Sequence, residues 1–352
     1  MMEGMDTLTH ALSGMLVARA SRRVDDELPI WLRSWTGFFI GAFPDIDFVS
    51  RLFGITAYLN IHRGITHSVV LIPVWALLLS WLLSKLSRNK YSWKLFLPVC
   101  LLSLSIHIFA DVITAYGTEV LAPFSNVRFS IPTTFIIDLY FTGIILFAIL
   151  LSTFIKKYAK PIALGGVVCL MGYVLLQSYW MRVALEHAYA SAPVDKMQNA
   201  EVDVIPQPLS PLNWKLIIST DDRYYIRYIN LYRDKPETAL PTDSLFKRID
   251  ALYTPVHQND WYIVPKFGLG PLQSLGHTIW EHDRMKPIRR FMEYPAIYQV
   301  DQFPEMQCLW FADQRFVLQD IRAPFIFGAC QHRESKQLKF LRLVDDQPAL
   351  FD

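Results

Sequence analysis

Four apolar runs, at 68–83 with its flanks, 95–116, 132–155 and 161–181, constrain this chain more than any motif does. Crossing about 30 Å of hydrocarbon takes roughly 20 apolar residues in a helix, and the runs approach or reach that length. Four helices of a soluble bundle would need polar faces, which these runs lack. Composition agrees: 52% of the residues are hydrophobic and 19% are charged, where a soluble protein carries nearer about 25% charged. The net charge of +2 gives no electrostatic basis for a nucleic-acid partner. Two shorter runs, 8–20 and 30–43, come first; at about 14 residues each they suit half-helices or re-entrant segments.

The expected architecture is a polytopic α-helical membrane domain over residues 1–189, with four long transmembrane helices and two short N-terminal membrane segments. A β-rich extramembrane domain over 190–352 follows: "WKLIIST", "YYIRYINLY", "CLWFADQRFVLQD" and "KFLRLV" are short, aromatic and β-branched, with turn residues between them. One helix is expected near 242–253, and Asp221-Asp222 and Asp345-Asp346 read as turns. Arg19, Arg22, Arg23 and Arg33 share a side with the basic loops "KLSRNKYSWK" and "KKYAK", which places that side in the cytoplasm. The other face, and the β-rich domain with it, is then periplasmic. Cys308 and Cys330 could pair there or stay single. The N-terminus lacks the basic region and cleavage site of a secretory signal.

Ionisable residues in or beside the apolar segments are few: His10, Asp45, Asp47, His62, His67, His107, Asp111 and Asp138. Such groups are costly in a bilayer, and a functional role is their default reading. Under this topology all eight fall toward the outer face. His107, Asp111 and Thr114 share one helix face by spacing. Asp45 and Asp47 need an extended or turn backbone to meet at one ion. His62 reads as a loop residue, with Thr66 capping a helix that starts near His67. Thr134, Asp138 and Thr142 form a polar stripe on a helix, with Asp138 about 9 Å inside its outer end.

Histidines grouped with carboxylates at half-buried depth are what a divalent metal needs, and mixed N/O ligation favours Zn, Mn or Fe. The ligand supply allows one ion or two, and two-metal sites hydrolyse phosphate esters. Arg63 would grip a phosphate oxygen or sit at headgroup level. "GHTIWEH" (276–282) departs from the zinc-protease signatures and reads as a surface segment.

Four stretches, "MDTLTHALSG" (5–14), "GAFPDID" (41–47), "HRGITHS" (62–68) and "HIFADVITAYGTEVLAPFS" (107–125), resemble the YdjM-like family of inner-membrane, metal-dependent hydrolases. The resemblance implies a start at Met5 and a bacterial inner-membrane location. It places His10, Asp45, Asp47, His62, His67, His107 and Asp111 in the metal-site motifs, a pattern similar to zinc-dependent phospholipase C enzymes. Asp138 is added on depth and polarity. The expected function is hydrolysis of a phospholipid or lipid-linked phosphate ester at the outer leaflet, with zinc favoured, Asp47 or Asp138 as general base and Arg63 on the substrate. Two alternatives stand beside it: an ion- or proton-coupled carrier using the same cluster, and a non-catalytic anchor stabilised by a structural metal.

Overall fold

The computed structural model describes residues 2–22, 27–191, 199–319, 321–344 and 347–350. Arg23, Asp345 and Asp346 lie outside them. The chain divides into two compact units, Met1–Val49 with Ile61–Tyr179, and Ser50–Asn60 with Trp180–Asp352.

The first unit is helical. It contains α1 (Met2–Ala20), α2 (Ile30–Ala42), α4 (Ile72–Leu86), α5 (Trp93–Val112), α6 (Leu139–Phe154) and the first part of α7 (Ala159–Ser191). A 3₁₀ stretch, Phe43–Phe53, continues α2; its part beyond Val49 and α3 (Ile55–Ile61) up to Asn60 belong to the second unit. α1 and α2 touch backbone to backbone through glycine. A Cβ on Gly14 would strike the Gly37 carbonyl, and one on Gly41 would lie 2.6 Å from the His10 carbonyl. Arg33 is buried at this contact, its Nε donating to Ala18 O at 2.6 Å. Arg19 donates to Ser34 Oγ and Ser152 Oγ, each at 2.9 Å. Both cations act as ties between helices as well as loop charges. Apolar packing forms two clusters: Leu16, Ile145, Ala148, Ala163 and Leu170, and Ile40, Ala76, Phe96, Cys100 and Leu104.

Among the described residues, two helical stretches are long and apolar enough to cross a membrane, Trp93–Val112 and Lys156–Ser191. A third candidate is the pair Ile55–His67 and Ile72–Leu86, bent by 81°. The expected run at 132–155 is helical only from Leu139, and its 16 residues rise about 24 Å, short of a bilayer core. Thr134 is therefore off the helix, and the expected Thr134–Asp138–Thr142 stripe does not form. α1 starts at Met2, so His10 lies within the helix and not at its head.

The second unit is β-rich. One sheet runs β1 (Glu201–Pro206), β2 (Asn213–Ser219), β3 (Arg223–Asn230) and β4 (Thr254–Pro255), with β5 (Tyr262–Pro265) also on β3. The other is an antiparallel meander of β6 (Pro295–Gln302), β7 (Met306–Asp313), β8 (Ile326–His332), β9 (Leu338–Val344) and β10 (Gln347–Leu350). Cys308 and Cys330 face each other across β7 and β8 and form a disulfide. The last turns of α7 place Ala184 and Ala188 in a core with Val204, Trp214, Leu216 and Ile229. The short α8 (Leu245–Asp250) falls inside the expected helical stretch, and Asp222 lies in the bend between β2 and β3.

Candidate metal centre

α5 presents His107 and Asp111 one turn apart on a buried face, and α1 brings His10 against them. The 3₁₀ stretch after Pro44 supplies Asp45 and Asp47. At three residues per turn, side chains two apart diverge by about 120°, so these carboxylates point to different partners. The turn after α3 supplies His62 and Arg63, and a 3₁₀ turn, Ile65–His67, supplies His67. α4 begins only at Ile72 with Leu71 at its N-cap, so Thr66 caps no helix. Its hydroxyl donates instead to Asp47 Oδ2 at 3.0 Å.

His67 Nε2 and His107 Nε2 stand 3.0 Å apart. Asp111 Oδ2 lies 3.1 and 3.5 Å from them, and Asp45 Oδ1 3.6 and 3.7 Å. Ligands at about 2.1 Å from a tetrahedral ion sit about 3.4 Å apart, which these spacings bracket. His10 Nε2 approaches Asp111 Oδ1 at 3.2 Å, and its ring lies 4.0 Å from that of His107. Among the described residues, two sets could hold a metal: Asp45, His67 and His107, and His10, His107 and Asp111.

The other ring nitrogens assign the tautomers. His107 Nδ1 faces Gly41 O at 2.6 Å, a partner that can only accept, so this nitrogen carries the proton. His67 Nδ1 faces Asp47 Oδ2 at 3.3 Å. With both rings neutral, the two Nε2 lone pairs face each other at 3.0 Å, which a cation between them would relieve; with His67 protonated, its Nε2–H would donate to His107 or Asp111 instead. Asp45 Oδ2 is buried with no hydrogen-bond partner among the described residues. With neutral imidazoles, Asp45, Asp47, Asp111 and Arg63 give the buried cluster a net charge of −2. Isolated charge is expensive to bury, and a divalent ion cancels it. The donor set, the opposed lone pairs and the charge balance all fit a divalent metal. His107 offers one lone pair, so it serves one ion only.

Asp47 is occupied as an orienting group. Oδ1 meets His62 Nδ1 at 2.8 Å, and Oδ2 accepts from the Arg63 amide at 3.0 Å as well as from Thr66. A carboxylate behind a ligating imidazole fixes ring direction and raises basicity. Arg63 is buried and its Nη2 lies 2.8 Å from Asp111 Oδ1, while Nη1 donates to Thr114 Oγ1 at 3.1 Å. Its φ of 59° is the left-handed region, uncommon for a branched-free side chain of this length. Asp47 on its N–H and the Glu119 amide on its carbonyl, at 2.9 Å, hold that conformation. Arg63 thus positions Asp111 with the guanidinium that was expected to meet a phosphate oxygen.

Asp138 stands at the head of α6. Oδ1 caps α6 by accepting from the Tyr140 and Phe141 amides at 2.8 Å, and Oδ2 accepts from Tyr173 Oη at 2.7 Å. Sequence reasoning missed Tyr116, Glu119 and Arg128. The Tyr116 ring lies 4.5 Å from the Arg63 guanidinium, and Arg128 Nε is 3.5 Å from Glu119 Oε1. The signal for Tyr116 and Glu119 was the stretch "AYGTE", which follows the apolar run; Arg128 lies beyond it. In the second unit His277 packs on Phe267 and His282 on Phe340, so "GHTIWEH" forms no common site.

The chain is 25% identical over 187 residues to the "Uncharacterized protein YfhP" of Bacillus subtilis (strain 168), covering 52% of this chain and 54% of that protein. It thus spans about half the length of the curated relative it matches. No solved structure matches it. The model of the YdjM inner membrane protein family matches residues 5–184, the region that contains every residue of the cluster, and the chain belongs to that family.

Proposed function

We propose that this protein is a metal-dependent hydrolase of the bacterial inner membrane, acting on a phosphate ester of a phospholipid or another lipid-linked phosphate at the outer-leaflet face. The convergence of His67 Nε2 and His107 Nε2, 3.0 Å apart, with Asp45 and Asp111 oxygens within 3.7 Å of both carries the reading. His67, His107, Asp45 and Asp111 would hold one divalent ion, zinc before manganese or iron, and a second would rest on His10 and Asp111. A bound ion there supplies Lewis acidity toward a phosphoryl oxygen and acidifies water. The protein's own part is to aim the ligands: Gly41 and Asp47 fix the two imidazoles, and Arg63 fixes Asp111. Asp45 and His62, with side chains 15% and 12% exposed, form the open edge where a substrate and its proton acceptor meet the site. The Cys308–Cys330 disulfide supports a periplasmic β-rich unit, since such bonds persist in oxidising compartments.

The test compares metal content of detergent-purified wild type and the His107→Ala/Asp111→Ala variant, followed by turnover of phospholipid and lipid-linked phosphate substrates. The expected result is metal and phosphate-ester cleavage in the wild type and neither in the variant. The near-complete burial of His67, His107 and Asp111 favours one other reading, a structural metal. Metal without turnover of any lipid phosphate would select it, and wild type without metal would overturn both.

A further inference from the structure

The edge of the cluster has an unusual rim. Asp45 is followed by Ile46, Asp47 by Phe48, and His62 stands between Ile61 and the turn that exposes Ile65. The segment after α5 folds over the same turn: the Glu119 amide donates to Arg63 O at 2.9 Å, the Val69 amide to Val120 O at 2.9 Å, and Arg128 Nη2 to His62 O at 3.4 Å. It pairs with itself through Thr118 and Phe129, and its tip exposes Phe124 and Val127. Across residues 43–49, 61–71 and 111–138, no exposed side chain is charged, and Asn126 is the one exposed polar residue. The end of α4 and its loop to α5, at the far end of α5 from Asp111, are the opposite case, exposing Lys85, Arg88 and Lys90.

A non-helical, solvent-facing rim normally carries charge, and a contiguous exposed apolar surface marks a contact. Here the surface continues onto the exposed apolar faces of membrane helices, so its neighbour is hydrocarbon. We propose that the rim and the 118–129 loop are embedded in the lipid leaflet, and that the cluster takes its ligand sideways from that leaflet: a phospholipid whose headgroup reaches Asp45 and His62 while its acyl chains stay against Ile46, Ile65 and Phe124. Irregular backbone at this depth is tolerated because its polar groups are satisfied inside the protein, as Ser68 Oγ on Ala122 O at 2.6 Å illustrates. The choice of substrate rests on the hydrolase reading; the placement of the loop does not.

Spin labels at Phe124→Cys and Val127→Cys, in a Cys100→Ser/Cys169→Ala background reconstituted in phospholipid nanodiscs, test the placement by collision with oxygen and with a water-soluble nickel chelate. Labels at Phe147→Cys on α6 and Lys90→Cys serve as lipid and water references. The proposal expects both loop labels to resemble Phe147→Cys, favouring oxygen. Labels that favour the nickel chelate, or that exclude both reagents because protein covers the loop, overturn it. For the lateral route, Ile65→Asp should cut turnover of a bilayer-embedded phospholipid at least about tenfold and spare a short-chain monomeric analogue. Equal losses on both substrates overturn that route, whereas no turnover by the wild type refutes the hydrolase reading and leaves the spin-label result to decide the loop.

Discussion

Gly41 joins the packing of the helices to the chemistry of the cluster, and Gly41→Ala measures the link. The new methyl carbon would meet His10 O at 2.6 Å, Gly14 Cα at 3.1 Å and Ala11 Cα at 3.3 Å. All three are backbone atoms, so no side chain can swing aside. Restoring ordinary contact at the tightest of them takes a displacement of about 0.8 Å between α1 and α2. The Gly41 carbonyl travels with its helix, and its 2.6 Å bond to His107 Nδ1 would pass the usual limit of about 3.2 Å. Overpacking of this kind costs about 1–3 kcal/mol of stability. Loss of an orienting partner behind a ligating imidazole lowers metal affinity about 10- to 100-fold, or about 1.4–2.7 kcal/mol. The assay is competition for zinc against a chromophoric chelator, paired with thermal unfolding. Gly172→Ala is the control, because a Cβ there has nothing within 4 Å. If Gly41→Ala unfolds earlier yet keeps wild-type zinc affinity, the Gly41 carbonyl does not orient His107. If it matches the control in both measurements, the α1–α2 contact is looser than its geometry requires.

Other expectations follow from the same contacts. Arg63→Met leaves Asp111 without its guanidinium, which should cost about 3–5 kcal/mol, and adding Asp111→Asn should return part of it; a double-mutant cycle with no coupling contradicts the positioning role. Asp138→Ala removes a helix cap worth about 1 kcal/mol and should leave metal content unchanged, whereas loss of metal would restore Asp138 to the site. Burial pushes the Lys215 ammonium in the β-rich unit down to about 7. Between that value and 10.5 the unfolded chain holds the proton and the folded chain does not, so folding gains stability as pH rises through this window. Lys215→Met should flatten the rise in melting temperature between about pH 7 and 9.5, and parallel slopes for both proteins would refute the assignment.

The cluster was legible in the sequence where helical periodicity governs it. His107 and Asp111 share a face because a four-residue spacing on α5 requires it. The division of labour between Asp45 and Asp47 was not legible, since two carboxylates two residues apart converge on an extended backbone and diverge on a 3₁₀ turn. The same limit hid the work of Thr66, whose partner is set by how 43–53 folds back and not by its neighbours. Residues 132–138 are apolar enough for a helix, but hydrophobicity alone does not distinguish helix from buried loop. Asp138, a carboxylate immediately before an apolar run, was an available N-cap signal. In the second half the short aromatic and β-branched stretches between turn residues marked the strands, while the helix Pro271–Glu281 passed unnoticed.

The length of α7 bears on how the protein can be cut. Its 33 residues rise about 50 Å, well beyond one hydrocarbon core, and the excess has its own task. Ala184 and Ala188 are wholly buried against Val204, Trp214 and Leu216, so the first β-sheet borrows one wall of its interior from the helix. A fragment starting at residue 190 would expose that wall and aggregate, whereas one starting near Trp180 would carry its own cover.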